Sequence, residues 1–176
     1  PPRVTLVNLS DGEEIEAQFN PENLDESIAP NWSKLTIPGF SHEPLQFSHT
    51  SNMSWKFDLR FNALDGTGTA AFEAMSRVRR FLLAACYARR GQDSVDAGGP
   101  PRLLFVWPNL ISVTAVLASL SFKHEQFNKF MQPIAFTASV TLEEFRDARL
   151  YSEDVFSQGT IRSSSSGEDA SEGTLA

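Results

Sequence analysis

Residues 53–62 constrain this chain more than any others. They read Met-Ser-Trp-Lys-Phe-Asp-Leu-Arg-Phe-Asn, with Met53, Trp55, Phe57, Leu59 and Phe61 on alternate positions. Ser54, Lys56, Asp58, Arg60 and Asn62 fill the gaps. A strand sends successive side chains to opposite faces, so this is an apolar wall backed by a polar one. A helix would scatter both sets around its circumference. Such a strand needs other strands and a covering layer, and the rest of the chain must supply them.

Antiparallel partners are predicted on both sides of it. Val4–Leu9 and Glu13–Phe19 flank Ser10-Asp11-Gly12, a hairpin signal. Phe19-Asn20-Pro21 ends that unit, because proline has no N–H for a ladder. Glu22 to about Glu43 carries Pro30, Trp32, Pro38 and Gly39 without any apolar period, so it reads as a long irregular loop. Loops of this length in a small domain are commonly functional, which makes it the expected contact surface. Leu45–His49 alternates briefly before the central strand.

A helix is expected over about 70–90, capped by Thr67 or Thr69. Its apolar stripe is Phe72, Met75, Val78, Leu82, Leu83 and Cys86. Arg89 and Arg90 suit its C-terminal end, and Gly91 its stop. Arg102–Trp107 and Leu110–Phe122 read as strands around Pro108-Asn109. A polar turn over 124–129 then leads to a final strand over 131–145. The near-uncharged run Leu103–Phe122 is long enough to span a bilayer, yet the Pro-Asn interruption and the β-branched residues favour two strands. The expected fold is mainly β with one substantial helix, a β-sandwich or open barrel of antiparallel strands over residues 1–156. The Ser/Gly/acidic segment 157–176 is expected to be a disordered tail.

Chemistry is scarce. His42 and His49 lie seven apart without further ligands at metal-site spacing, and His124 reads as a solvated turn residue. Cys86 on the helix stripe reads as a buried, inert thiol. Gly66-Thr-Gly68 lacks the lysine of a phosphate loop, and adjacent Glu143 and Glu144 point to opposite strand faces. The reading is therefore not an enzyme, with no metal and no cofactor. The net charge of −7 argues against nucleic acid and against direct membrane insertion. A single cysteine and the absence of a basic-then-apolar leader at Pro1–Leu6 point to assembly in the cytoplasm.

One ordered set of marks goes further. Phe19-Asn-Pro21 is followed by Asn31-Trp32, Ile37-Pro-Gly39, Leu45-Gln-Phe47 and Phe57-Asp-Leu-Arg-Phe61. A helix, Pro100–Trp107, Phe122–Phe130 and Pro133–Glu144 complete the order. From Val4 to Arg146 this resembles the tube-like domain of contractile injection system and phage-tail baseplate proteins, often LysM-bearing. The resemblance implies a tail-tube fold whose copies form a ring, a hexamer in the family, with a long hairpin from each lining a channel. It implies a structural role at the baseplate, joining the spike hub to the inner tube protein beside other baseplate proteins, and possible release with the particle. Two features depart from the family: the LysM module is missing, and Asn62 stands where Asp is common. Phe19, Asn20, Pro21, Trp32, Pro38, Gly39, Phe40 and Phe47 are the expected assembly contacts. The alternatives are an inner tail-tube or tube-cap protein of the same kind of particle, and a small-ligand-binding β-barrel.

Overall fold

The computed structural model describes residues 2–63, 69–88 and 99–146. By its contacts the chain divides into Pro1–Phe145 and Arg146–Ala176, and the architecture below is that of the first unit. Its elements are β1 (Thr5–Asn8), β2 (Glu14–Glu16), β3 (Asp25–Ser27), β4 (Pro30–Lys34), β5 (Leu45–Thr50) and β6 (Ser54–Asn62). Then come α1 (Thr69–Ala84), β7 (Leu103–Trp107), β8 (Ile111–Phe127) and β9 (Pro133–Glu144). Seven strands make one sheet in the order β2-β1-β7-β8-β9-β6-β3, while β4 and β5 form a separate pair. All pairings are antiparallel.

The large sheet is strongly curled. β6 and β7 are separated by two strands, which would place them roughly 14 Å apart in a flat sheet. Yet Phe57 of β6 stacks on Phe105 of β7 with centroids 5.1 Å apart, and Trp55 lies 6.0 Å from the same ring. Rings that close require the sheet to bend β6 towards β7, with their apolar faces inside the bend. The apolar wall seen in the sequence is that inner face: Trp55, Phe57, Leu59 and Phe61 are all buried. Leu6, Phe105, Phe136, Val140 and Leu142 join them. The curl stays open, because β2 and β3 end the strand order without pairing to each other. Aromatic rings meet inside the curl, Phe57 on Phe105 and Phe136 on both Phe61 and Phe122.

The helix supplies the covering layer. Met75, Phe81 and Leu82 of α1 bury against the core, joined by Ala85 just beyond its end. Arg77 Nε reaches Glu13 Oε1 at 3.0 Å on one side, and the Arg79 guanidinium lies 5.7 Å from the Phe122 ring centre on the other. The turns follow the sequence closely. Gly12 adopts φ 76°, its N–H donating to Asn8 O, while Asn109 at φ 63° closes the β7–β8 turn.

Four expectations need correction. The stretch 22–43 is not irregular throughout, since it holds β3 and β4; neither strand buries a face, so no alternation marks them. The turn expected over 124–129 is mostly strand, because β8 runs to Phe127 with register shifts that blur its period. His124 thus sits in a strand, beside Phe122 and Phe136, with its Nδ1 enclosed and without a hydrogen-bond partner. The α-helix stops at Ala84, so Cys86 falls in the following turn, out of phase with the buried stripe and exposed. Phe81 takes the buried place instead. The readings on Gly66-Thr-Gly68, Arg89, Arg90, Gly91 and the 156/157 boundary lie outside the described residues. Among those described, no helix is long and apolar enough to cross a membrane; the run 103–122 forms β7 and most of β8.

Candidate functional site

The described residues show no catalytic constellation, and the features that demand explanation are surfaces. The first is an edge. β7 pairs with β8 only from Ile111 to Ala115, but β8 continues to Phe127. Among the described residues no strand pairs with that side of Val116–Phe127. On the other side the β9 ladder is continuous apart from register shifts. Alternate residues of an antiparallel strand direct both backbone groups to the same neighbour. With Phe145 N–H bonded to Thr114 O, the register turns the N–H and C=O of Leu120, Phe122 and His124 to the open side. Such an edge is a template for another strand.

The second surface is the polar face of β6, β9 and β8. The register aligns three rows across it: Lys56–Thr141–Ser119, Asp58–Ser139–Ser121 and Arg60–Thr137–Lys123. Ser139 Oγ donates to Asp58 Oδ1 at 2.6 Å, tying two strands within one row. Lys56, Asp58 and Arg60 are exposed, behind the buried aromatic set. The face is hydroxyl-rich and charge-mixed, a lining that stays wetted.

The third is the β4–β5 hairpin. Every residue of both strands is exposed. Trp32 sits opposite Phe47, their rings edge-to-face at 5.3 Å, and Ile28, Leu35, Phe40 and Leu45 are exposed nearby in the chain. A two-stranded hairpin is marginal by itself in water, so one dressed with uncovered aromatics has the character of a contact arm.

The fourth pair of features lies at the far end of the β8–β9 hairpin. Phe127, Phe130 and Met131 are all exposed at its tip, Met131 being 77 % exposed. Beside β6 lies an open groove of about 510 Å³, lined in part by Phe19, Pro21, Phe61 and Phe136. Sequence reasoning passed over this tip because it split the segment between a polar turn over 124–129 and a strand from 131; two phenylalanines and a methionine within five residues were the available signal.

The expected contact residues fall into three groups. Phe19, Asn20 and Pro21 line the groove. Asn20 also ties the N-terminal segment down, since its Oδ1 accepts from Val4 N–H at 3.1 Å and its Nδ2 donates to Pro2 O at 3.0 Å. Trp32 and Phe47 face each other on the arm. Pro38, Gly39 and Phe40 lie in the β4–β5 connection, where Gly39 takes φ 87°. The structure therefore does not bring the eight together as one patch. The remaining chemistry is muted: His42 and His49 are exposed, and partial burial pushes the Cys86 thiol up.

The solved structure described as the anti-feeding prophage baseplate, 6-fold symmetrised, is similar over 81% of this chain and 87% of that one, at 8% identity and a TM-score of 0.33. No curated protein matches the chain. The family described as contractile injection system tube protein matches residues 6–152. That match spans most of the sequence, and the chain belongs to this family of structural, non-enzymatic tube proteins of phage-tail-like particles.

Proposed function

We propose that this tube protein works as a ring at the baseplate, joining the spike hub to the inner tube and templating the first layer of that tube. The observation that carries the ring is the open edge of β8 from Val116 to Phe127. An edge this long invites aggregation unless a neighbour covers it. A neighbouring copy related by rotation covers it in every subunit at once, and a head-to-tail contact of this kind closes into a ring. The polar rows of β6, β9 and β8 then face the bore, and the β4–β5 arm reaches the spike hub, the inner tube or other baseplate proteins. Assembly takes place in the cytoplasm on this reading.

The mass of the purified protein, alone and mixed with its spike and tube proteins, tests it. A closed ring, alone or on mixing, is the expected result, and its stoichiometry gives the symmetry. Growth into long tubes assigns the chain to the inner tube instead. A monomer in every mixture overturns the ring. Leu120→Pro removes one outward N–H without touching the β9 ladder, so it should abolish the ring, whereas Leu120→Ala should leave it formed.

A further inference from the structure

The β8–β9 tip and the β4–β5 arm leave the sheet at opposite ends. β6 and β8 both run antiparallel to β9, so they point the same way. Asn62 and Gln126 are level with Ala135, just below the tip, whereas Ser54 and Val116 are level with Glu143. The arm departs from the Ser54 end, where Ala29 and Ser51 bond to each other between the β3–β6 and β4–β5 pairs. Ser54–Asn62 of β6 lies between the two, roughly 26 Å of extended chain. Copies related by rotation about the bore keep this direction, so a ring collects every tip at one mouth and every arm at the other.

The two ends are also built differently. The tip is a closed loop. The Asn128 side chain accepts from the N–H groups of Phe130 and Gln132 at 2.9 and 3.0 Å, and donates to Gln132 Oε1 at 2.9 Å. Backbone bonds from Asn128 N–H to Gln132 O and from Met131 N–H to Asn128 O tie the same residues, with Met131 at φ 61°. The arm has no such anchorage. Among the described residues, the hydrogen bonds and ring contacts of residues 30–50 stay within 29–51. Only its stalk at Ala29 and Ser51 sets its angle to the sheet.

Position and stiffness suit different partners. The tip joins β8 and β9, the strands that carry most of the polar rows, so it stands at the rim of the bore. A layer that prolongs the bore begins there, and setting it in one register needs posts that hold their shape. Apolar groups presented in a preformed loop also bind at a lower entropic cost. The arm, fixed at one point, adapts its angle to a partner at the far mouth.

We infer that the Phe127–Met131 tips are the posts on which the first ring of the inner tube is laid, while the arms hold the spike hub at the opposite mouth. This rests on the baseplate ring proposed above and gives that ring a direction. The partner at the tips is a coaxial ring that offers each one an apolar seat for Phe130 and Met131. A carboxylate beside that seat meets Lys129, the one charged residue of the tip, whose Nζ lies 5.0 Å from the Phe130 ring centre.

Two variants of the full-length chain separate the ends. Phe130→Ser with Met131→Gly removes the apolar posts but keeps the Asn128 bonds and the left-handed turn. It should still form rings and co-purify with the hub, yet start inner tubes at least several-fold less often. Trp32→Ser with Phe47→Ser should do the reverse, losing the hub and still starting tubes. A photoreactive amino acid in place of Lys129 should cross-link to the tube protein. Cross-links only to the hub, or only between copies in one ring, overturn the assignment and leave the ring standing. So does a tip variant that forms rings and starts tubes at the normal rate. No ring in any mixture overturns the ring and this contact together.

Discussion

Two regions of this protein are equally aromatic and have opposite fates. Inside the curl, Trp55, Phe57 and Phe105 are at most 3% exposed and touch one another. On the β4–β5 arm, Trp32 and Phe47 are more than half exposed and touch mainly each other. The residue types are the same; the difference lies in what stands opposite. Trp55 and Phe57 belong to a strand paired along its whole length with β9 and roofed by a bent sheet. Trp32 and Phe47 belong to a pair of strands that nothing else in the described chain joins. Aromatic content alone therefore does not separate core from contact surface, whereas pairing does.

Substitutions can break that contrast from the core side first. Phe105→Ala should cost about 3–5 kcal/mol, since it removes the ring that both Trp55 and Phe57 rest on. Urea denaturation should show a lower midpoint with an unchanged slope; a loss under about 1 kcal/mol would mean the curl is not held by this stack. Asn20→Ala should cost about 1–2 kcal/mol, because the Val4 N–H loses its acceptor. Thermal melting reads this, and a neutral result would free Asn20 for a purely intersubunit role.

The arm should behave the other way. Trp32→Ser combined with Phe47→Ser should shift monomer stability by less than about 1 kcal/mol, yet weaken association with the spike or tube protein in co-purification. A large drop in stability would show that the arm folds back on its own domain. The smallest effect is expected at the exposed Arg77–Glu13 ion pair, where Arg77→Ala should change stability by under about 0.5 kcal/mol. A larger change would mean that α1 depends on this anchor rather than on Met75, Phe81 and Leu82.

The sequence disclosed the core wherever burial is one-sided. The alternation of 53–62 foretold both the inner wall of β6 and its wet outer face, and Gly12 and Asn109 marked their turns. It concealed whatever lacks a buried face. β3 and β4 are exposed throughout, so they carry no period, and the outer half of β8 mixes partly buried with exposed residues across three register shifts. Contact surfaces fall in this second class by nature, since their burial is completed by another molecule. The long-loop argument found the neighbourhood of the arm, and the Phe-Asn-Pro mark found one wall of the groove. The tip was hidden because Asn128 and Lys129 make its segment look like an ordinary solvated turn.

The strand order also bears on how the chain comes off the ribosome. β6 ends at Asn62, but its full-length partner β9 begins only at Pro133. β1 waits in the same way for β7. The β8–β9 hairpin is thus inserted between two flanks synthesised before it, and the sheet has no continuous ladder until β9 has been made. Contacts so distant in sequence fold slowly. During that interval Trp55, Phe57 and Phe61 stand uncovered on a nascent strand, a substrate for chaperones before they become the inner wall of the domain.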